Sequence, residues 1–398
     1  TCIAQRNDRR KTRKMPQLSD WFQQLSTAQG ILLLTLCLLS LGDTIVLCRV
    51  LCPVLFRGGR SYPKPETSPM ISVVICAGAY LEELIENLPL FLQQDYPTYE
   101  VVVVDESEPG ERVPQLSNLR AQYPHLRVTT TTDTQRFMSA RKLALTVGVK
   151  AAQGEWVVLT EANCRPASPH WLSTLASRFT PGVEIVLGHS ALSRAHGSTP
   201  CLAAADERWG NLCALGYALS GGPYLGERRN LAFRRQVFFD HKGFAGYNHL
   251  SGGEGDLFVL GVATKANTRA ATHPNGHTIG PPPSTSADYA RGRLAALQAR
   301  RLYPIWIRRH LALPQYTRAL LWIGALALLC CGTPTVWVAL GAIVLHRLLH
   351  FLLLLGCRVR LHEPVNFLYA WLYDLVAPAL ALSTQRLARH AQNAKPWR

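Results

Sequence analysis

Charge is scarce in this chain. Asp, Glu, Lys and Arg make up 17% of its 398 residues, against about 25% in ordinary soluble proteins. Apolar residues are also gathered into runs rather than spread, so a purely soluble reading fits poorly. Acids are the scarcer half, with 26 Asp and Glu against 42 Lys and Arg, a net charge of +16. Such a surplus suits a surface that faces anionic lipid, nucleic acid or phosphorylated substrates. The basic residues cluster near the ends of apolar runs, and no aromatic-basic surface motif accompanies them, so nucleic acid is not expected as a partner. Ordered cysteine spacing is missing as well. The eleven cysteines contain no Cys-x-x-Cys pair, and Cys37, Cys48, Cys52, Cys330, Cys331 and Cys357 lie in or beside apolar runs. A disulfide scaffold is excluded, and the cysteines read as small apolar residues of a reduced, cytosol-facing domain. His196, His241, His249, His273 and His277 are scattered, and no shared metal site is expected among them.

What is present is a set of membrane-length apolar runs flanking a long α/β block. Between residues 31 and 48 the only charge is Asp43, a stretch of about 27 Å as a helix. Arg49, Arg57, Arg60 and Lys64 follow it and place the next domain in the cytoplasm. Ahead of it, residues 1–27 form a basic tail with Arg6, Arg9, Arg10, Lys11, Arg13 and Lys14, and Met15 is the expected true start. The run 319–346 has no formal charge and is broken at Gly332, Thr333 and Pro334. Two membrane helices over 311–357 are expected, with Trp322 and Trp337 as interfacial anchors. The last apolar stretch, within 362–398, carries Asp374 and Pro378 between positive flanks and reads as an interfacial or re-entrant helix followed by a basic tail.

Residues 68–300 alternate strand-like and helix-like patterns. Buried-strand runs at 71–76, 100–105, 126–131 and 156–160 are separated by helical spacing at 81–94 and 139–152. This rhythm means a mostly parallel sheet with helices on both faces. In such folds ligands bind beyond the carboxyl ends of the strands, which directs attention to Ala77 to Tyr80, Asp105 to Ser107 and Glu161 to Asn163.

Several motifs then coincide in order: the run ISVVICA from Ile71, Gln94-Asp95-Tyr96-Pro97, Asp105, Lys142 with Gly148, and the run GEWVVLTEANCRPAS from Gly154. Further on come Gly226 through Asn230 to Arg235, and Gly253-Glu254-Gly255-Asp256-Leu257. Together they resemble the catalytic domain of a membrane-bound family 2 glycosyltransferase with the GT-A fold. The resemblance implies transfer of a sugar from a UDP- or GDP-linked donor to a lipid-linked or envelope-glycan hydroxyl, with inversion. It implies Asp105, Ala77 and Lys142 as donor-binding residues, Glu161 and Asn163 as ligands of Mn²⁺ or Mg²⁺, Glu254 as catalytic base with Asp256 second to it, and Asn230 and Arg234 on the acceptor side. Membrane lipids are implied as further partners.

The chain departs from the family where the chemistry lies. The Asp-x-Asp metal slot reads Glu161-Ala162-Asn163, which removes one formal charge. The acidic pair after the first strand is replaced by Gly78-Ala79-Tyr80. No Gln-x-x-Arg-Trp occurs; Arg291, Arg293, Arg300 and Arg301 instead suggest a basic interface helix for phosphate headgroups, which argues against a processive synthase. Two readings follow: a divergent transferase in which cations such as Lys142 or Arg228 take over part of the metal's work, or an inactive pseudo-transferase acting as a membrane scaffold or binding partner. For Asp105, Glu254 and Asp256, helix or turn capping is the competing structural role.

Overall fold

The computed structural model describes residues 26–63, 68–106, 114–131, 138–330 and 335–393. The basic run before Met15, Met15 itself, Lys64, Ser107, the break at Gly332 to Pro334, and the tail residues Lys395 and Arg398 lie outside them.

The chain enters through helix α1 (Thr27–Arg57) and then alternates β1 (Ile71–Cys76), α2 (Leu81–Leu92), β2 (Tyr99–Asp105), α3 (Pro114–Gln122), β3 (Leu126–Thr130), α4 (Ala140–Ala151) and β4 (Trp156–Glu161). After β5 (Arg165–Pro166) and α5 (Trp171–Ala176) come β6 (Ile185–Gly188), β7 (Ser190–Leu192) and the long α6 (Ser198–Leu219). β8 (Leu231–Arg234), α7 (Arg235–Asp240), α8 (Asp256–Val262), β9 (Thr268–Ala271) and β10 (Thr278–Gly280) complete the α/β part. Four helices follow: α9 (Ser286–Arg300), α10 (Ile305–Cys330), α11 (Thr335–Leu361) and α12 (Phe367–Asn393).

The main sheet has the order β3-β2-β1-β4-β8-β6-β9, and a small sheet has the order β5-β10-β7. β1 to β4 run parallel, and β8 is antiparallel to both of its neighbours. The strands are apolar at successive positions because helices cover both faces. Val73, Val101 and Val158 point to one core with Leu84, Leu88, Phe91 and Trp171. Val74, Val102 and Val157 point to the other, with Leu145, Val149 and Phe233. Gly148 lets α4 lie directly on this second face: a Cβ there would stand 2.4 Å from Val74 Cγ1 and 2.9 Å from Val104 Cγ2. The mostly parallel sheet expected from the strand rhythm is thus present, with each expected strand and helix in place.

Helix α1 buries Leu36, Leu47, Val50, Leu51 and Val54 against its neighbours, while Ile31, Leu34, Leu38, Leu41 and Ile45 stay exposed. Among the described residues, two helices, Thr27–Arg57 and Val336–Leu361, are long and apolar enough to cross a membrane. They suggest membrane association. The other expected crossing falls in α10, which also carries Arg308, Arg309 and Arg318. The last apolar stretch forms one continuous helix through Pro378.

Charges inside this helical layer are paired. Asp374 of α12 forms an ion pair with Arg318 of α10 at 2.7 Å and also meets Arg347 of α11. Asp43 of α1 accepts from Thr317 Oγ1 at 3.0 Å and faces His346 at 3.2 Å. Charges at such depth persist only with partners.

Candidate active site at the strand ends

Parallel pairing sets Cys76, at the end of β1, beside Glu161, at the end of β4, with β2 ending at Asp105 on the other side. Glu161 is buried, and burial alone would raise its pKa. The attraction of Arg228, Arg141 and Arg229 outweighs that and holds the carboxyl well below the usual carboxylate range. Arg141 Nη2 and Arg228 Nε both donate to Oε1 at 2.6 Å, and Arg229 Nε donates to Oε2 at 3.0 Å. Arg229 also donates from Nη1 to Glu207 of α6 at 2.6 Å.

Three elements deliver these arginines. Arg141 stands in the first turn of α4, whose preceding residue Ser139 donates its backbone N–H to Asn248 O at 2.9 Å. Arg228 and Arg229 lie in the turn before β8. Asn230 pins that turn: its Nδ2 donates to His189 O and Gly276 O, each at 2.8 Å, and its Oδ1 accepts from Trp171 Nε1 at 3.1 Å. Asn230, expected on the acceptor side, therefore uses its amide inside the protein and acts by holding the two arginines in place.

Lys142, expected to hold the donor, is fully buried. Its ammonium donates to Leu250 O at 2.5 Å and Gly252 O at 2.7 Å, and lies 3.9 Å from Glu254 Oε1. Burial lowers its pKa, with Glu254 and Asp256 pulling the other way. Lys142 thus orders the loop that carries Glu254. Glycines permit the same loop to approach the Arg228 turn, since a Cβ on Gly255 would stand 2.1 Å from Gly226 O. Oε1 of Glu254 is buried and has no hydrogen-bond partner among the described residues. Asp256 differs: Oδ1 accepts from the Leu257 backbone N–H at 2.8 Å, and Oδ2 accepts from Tyr303 OH at 2.5 Å. Asp256 opens α8 and ties it to the Tyr303 segment.

Ala77 donates its N–H to Val104 O at 3.0 Å, which closes the β1 end against β2. Glu106 Oε1 accepts from Gly78 N at 3.0 Å, and Gly78 takes a φ of +48° there. Asp105 is buried at the end of β2. Tyr80 is 45% exposed beside this turn. Burial pushes the Cys76 thiol up to about 12, with Arg141 pulling it down and Glu106, Glu161 and Glu254 adding to the rise.

The donor set does not fit a divalent ion at Glu161 and Asn163. Both oxygens of Glu161 already accept from guanidinium groups, and Asn163 Oδ1 faces the Cys164 thiol at 3.6 Å. Among the described residues no group of three His, Cys, Asp or Glu is placed to hold a metal.

Arg234 is not brought to these strand ends. It pairs in register with Trp156 at the start of β4, about 17 Å of strand away from Glu161. There it donates to Val183 O at 2.9 Å and to Glu155. Of the expected interface arginines, Arg291 pairs with Asp288 and Arg293 with Asp206. Sequence reasoning missed Arg141, Arg229 and Glu207. The adjacent Arg228-Arg229 pair, one step before an asparagine, was the available signal.

The family model for glycosyl transferase family 21 matches residues 32–207, whereas the motifs resemble family 2. No curated protein matches the chain. Among solved structures, a mannosyltransferase from Pyrobaculum calidifontis in complex with GDP-Man and Mn²⁺ is similar at TM-score 0.55 and 18% identity, over 83% of this chain and 98% of that one. TarS from S. aureus is similar at TM-score 0.40 and 14% identity, over 77% of this chain and 91% of that one. The GT-A-like fold is shared with the mannosyltransferase, and the family match supports sugar transfer in general.

Proposed function

We propose that this chain is a membrane-anchored glycosyltransferase. It takes a UDP- or GDP-linked sugar into the crevice beyond β1, β2 and β4 and transfers the sugar, with inversion, to a hydroxyl of a lipid-linked or glycan acceptor. The observation that carries this reading is the convergence of Arg141, Arg228 and Arg229 on Glu161 at the carboxyl ends of the strands. A leaving diphosphate develops negative charge, and fixed guanidinium groups are suited to meet it because their planar donors match phosphate oxygens. Arg141 and Arg228 keep part of their surface open to a ligand, while Arg229 is buried as their anchor. Glu254 supplies the base: its Oε1 is free to accept the proton of the attacking hydroxyl, and Lys142 holds its loop still.

The mannosyltransferase of similar fold holds GDP-Man and Mn²⁺, which supports a nucleotide-sugar donor. In this reading arginines take over work that the family resemblance assigns to a divalent ion. Arg49 and Arg57 in the last turns of the first apolar helix, Arg60 just after it, and Arg358 and Arg360 at the end of the second support a cytoplasmic crevice by the positive-inside bias. A second reading, an inactive relative serving as membrane scaffold or binding partner, is favoured by the saturation of Glu161 with guanidinium groups.

Calorimetric titration of UDP and GDP into the detergent-purified chain, in EDTA and in Mn²⁺, separates the readings. Binding in EDTA that weakens in Arg228→Ala supports the arginine-based donor site. Binding only with Mn²⁺ returns the role to a metal, and no binding of either nucleotide favours the scaffold.

A further inference from the structure

A second basic site lies outside the crevice. Residues around Arg194, the start of α6, the end of α11 and the start of α12 enclose a cavity of about 400 Å³. Arg194, Arg208 and Arg358 line it together with His196. Arg208 is buried and fixed, with Nε donating to Glu363 at 2.9 Å and Nη2 to Pro364 O at 2.9 Å. Glu363 is thereby spent behind it, also accepting from the Leu192 backbone N–H at 3.2 Å. Arg194 and Arg358 are exposed and have no carboxylate partner among the described residues. Arg358 stacks its guanidinium 5.2 Å from the Phe367 ring centre, which holds it at the rim.

Backbone polarity adds to these charges. α12 begins at Phe367, so its N-terminal end opens on the cavity, while α6 lines the cavity with Cys201, Ala204 and Arg208. α12 has no acid in its first turn, and its capping residue Asn366, whose Oδ1 accepts from the Tyr369 N–H at 3.5 Å, lines the cavity as well. Helix N-termini favour anions through their unpaired N–H groups and their dipoles. Three guanidinium groups and one such end, with Glu363 already paired, select a compact multivalent anion.

We infer that this cavity binds a phosphate group, carried by a lipid headgroup or free in solution. It is distinct from the crevice, since Glu207 of α6 faces Arg229 while the next residue, Arg208, faces the cavity. Its place at the end of the apolar Val336–Leu361 helix is where headgroups of a surrounding bilayer lie. The inference does not rest on sugar transfer.

The test uses the full chain in detergent, as wild type, Arg194→Gln/Arg358→Gln and Arg194→Lys/Arg358→Lys. Dihexanoyl phosphatidic acid and inorganic phosphate are titrated separately by calorimetry. Both crevice and cavity are present in wild type, so the difference between proteins reports the cavity. We expect the glutamine variant to bind one probe about tenfold more weakly, a loss of about 1.4 kcal/mol, with the lysine variant near wild type. A loss confined to phosphatidic acid identifies a lipid headgroup, and a loss for inorganic phosphate identifies the free anion. Equal binding of both probes by wild type and the glutamine variant, or no binding by wild type, overturns the inference.

Discussion

Arg229 Nε donates to Glu161 Oε2 at 3.0 Å, and the same guanidinium donates to Glu207 at 2.6 Å. One side chain therefore ties the end of the central strand β4 to α6, the helix that packs against the apolar layer. The strand ends and the apolar helices are mechanically joined at this point.

Removing the charge at Glu161 leaves three guanidinium groups facing one another, of which Arg229 is buried with it. Losing one partner of a buried ion pair costs about 3 to 5 kcal/mol. Glu161→Gln should destabilise the chain by about 3 kcal/mol on this basis, and it should also remove most transfer activity. Thermal unfolding in detergent measures the first effect; an unchanged midpoint would show that the cluster is not what anchors β4.

The same cluster predicts an acid limb. Glu161 is held below its ordinary pKa in the fold, so the unfolded chain binds the extra proton first as pH falls. Its contribution is complete above the ordinary glutamate value and is lost as pH drops through that value towards the lower folded one. Unfolding midpoints measured across that window should fall more steeply for wild type than for Glu161→Gln. Parallel limbs would count against the assignment.

Arg228→Ala removes a donor that is 45% exposed, so folding should be little affected. Nucleotide binding in EDTA should weaken about tenfold, close to 1.4 kcal/mol. Retained affinity would remove Arg228 from the donor site.

Glu254 and Asp256 sit two residues apart yet should behave differently. Glu254→Gln should lower turnover by about 10² to 10⁴-fold while leaving nucleotide affinity intact, the signature of a lost base. Asp256→Asn should instead lower stability by about 1 to 3 kcal/mol, because it weakens the tie to Tyr303. The comparison of rates and melting curves decides this, and equal turnover losses would leave Glu254 without its special role.

Within the apolar helices, Asp374 meets both Arg318 and Arg347. Asp374→Asn should loosen α12 from α10 and α11 at a cost of about 3 kcal/mol. Limited proteolysis after α11 reads this out: wild-type resistance in the variant would reduce the pairing to a passive contact.

Much of this was legible in the residues themselves. Unbroken apolar runs such as ISVVIC, set between turn residues and helical spacing, specify a strand covered on both faces, and their order specifies a parallel sheet whose carboxyl ends carry Asp105 and Glu161. Period and polarity are local properties, so a linear reading recovers them. The partners of each polar side chain are not local. Glu161 meets Arg141 from 20 residues earlier and Arg228 and Arg229 from 67 and 68 residues later, and Lys142 reaches carbonyls 108 and 110 residues away. Only the tertiary structure decides those meetings, because a buried charge takes whichever opposite charge or carbonyl the packing of distant elements brings within reach. The sequence by itself determined the scaffold and where on it to look; packing turned an expected metal carboxylate into the hub of an arginine cluster, and an expected donor lysine into the clamp of the Glu254 loop.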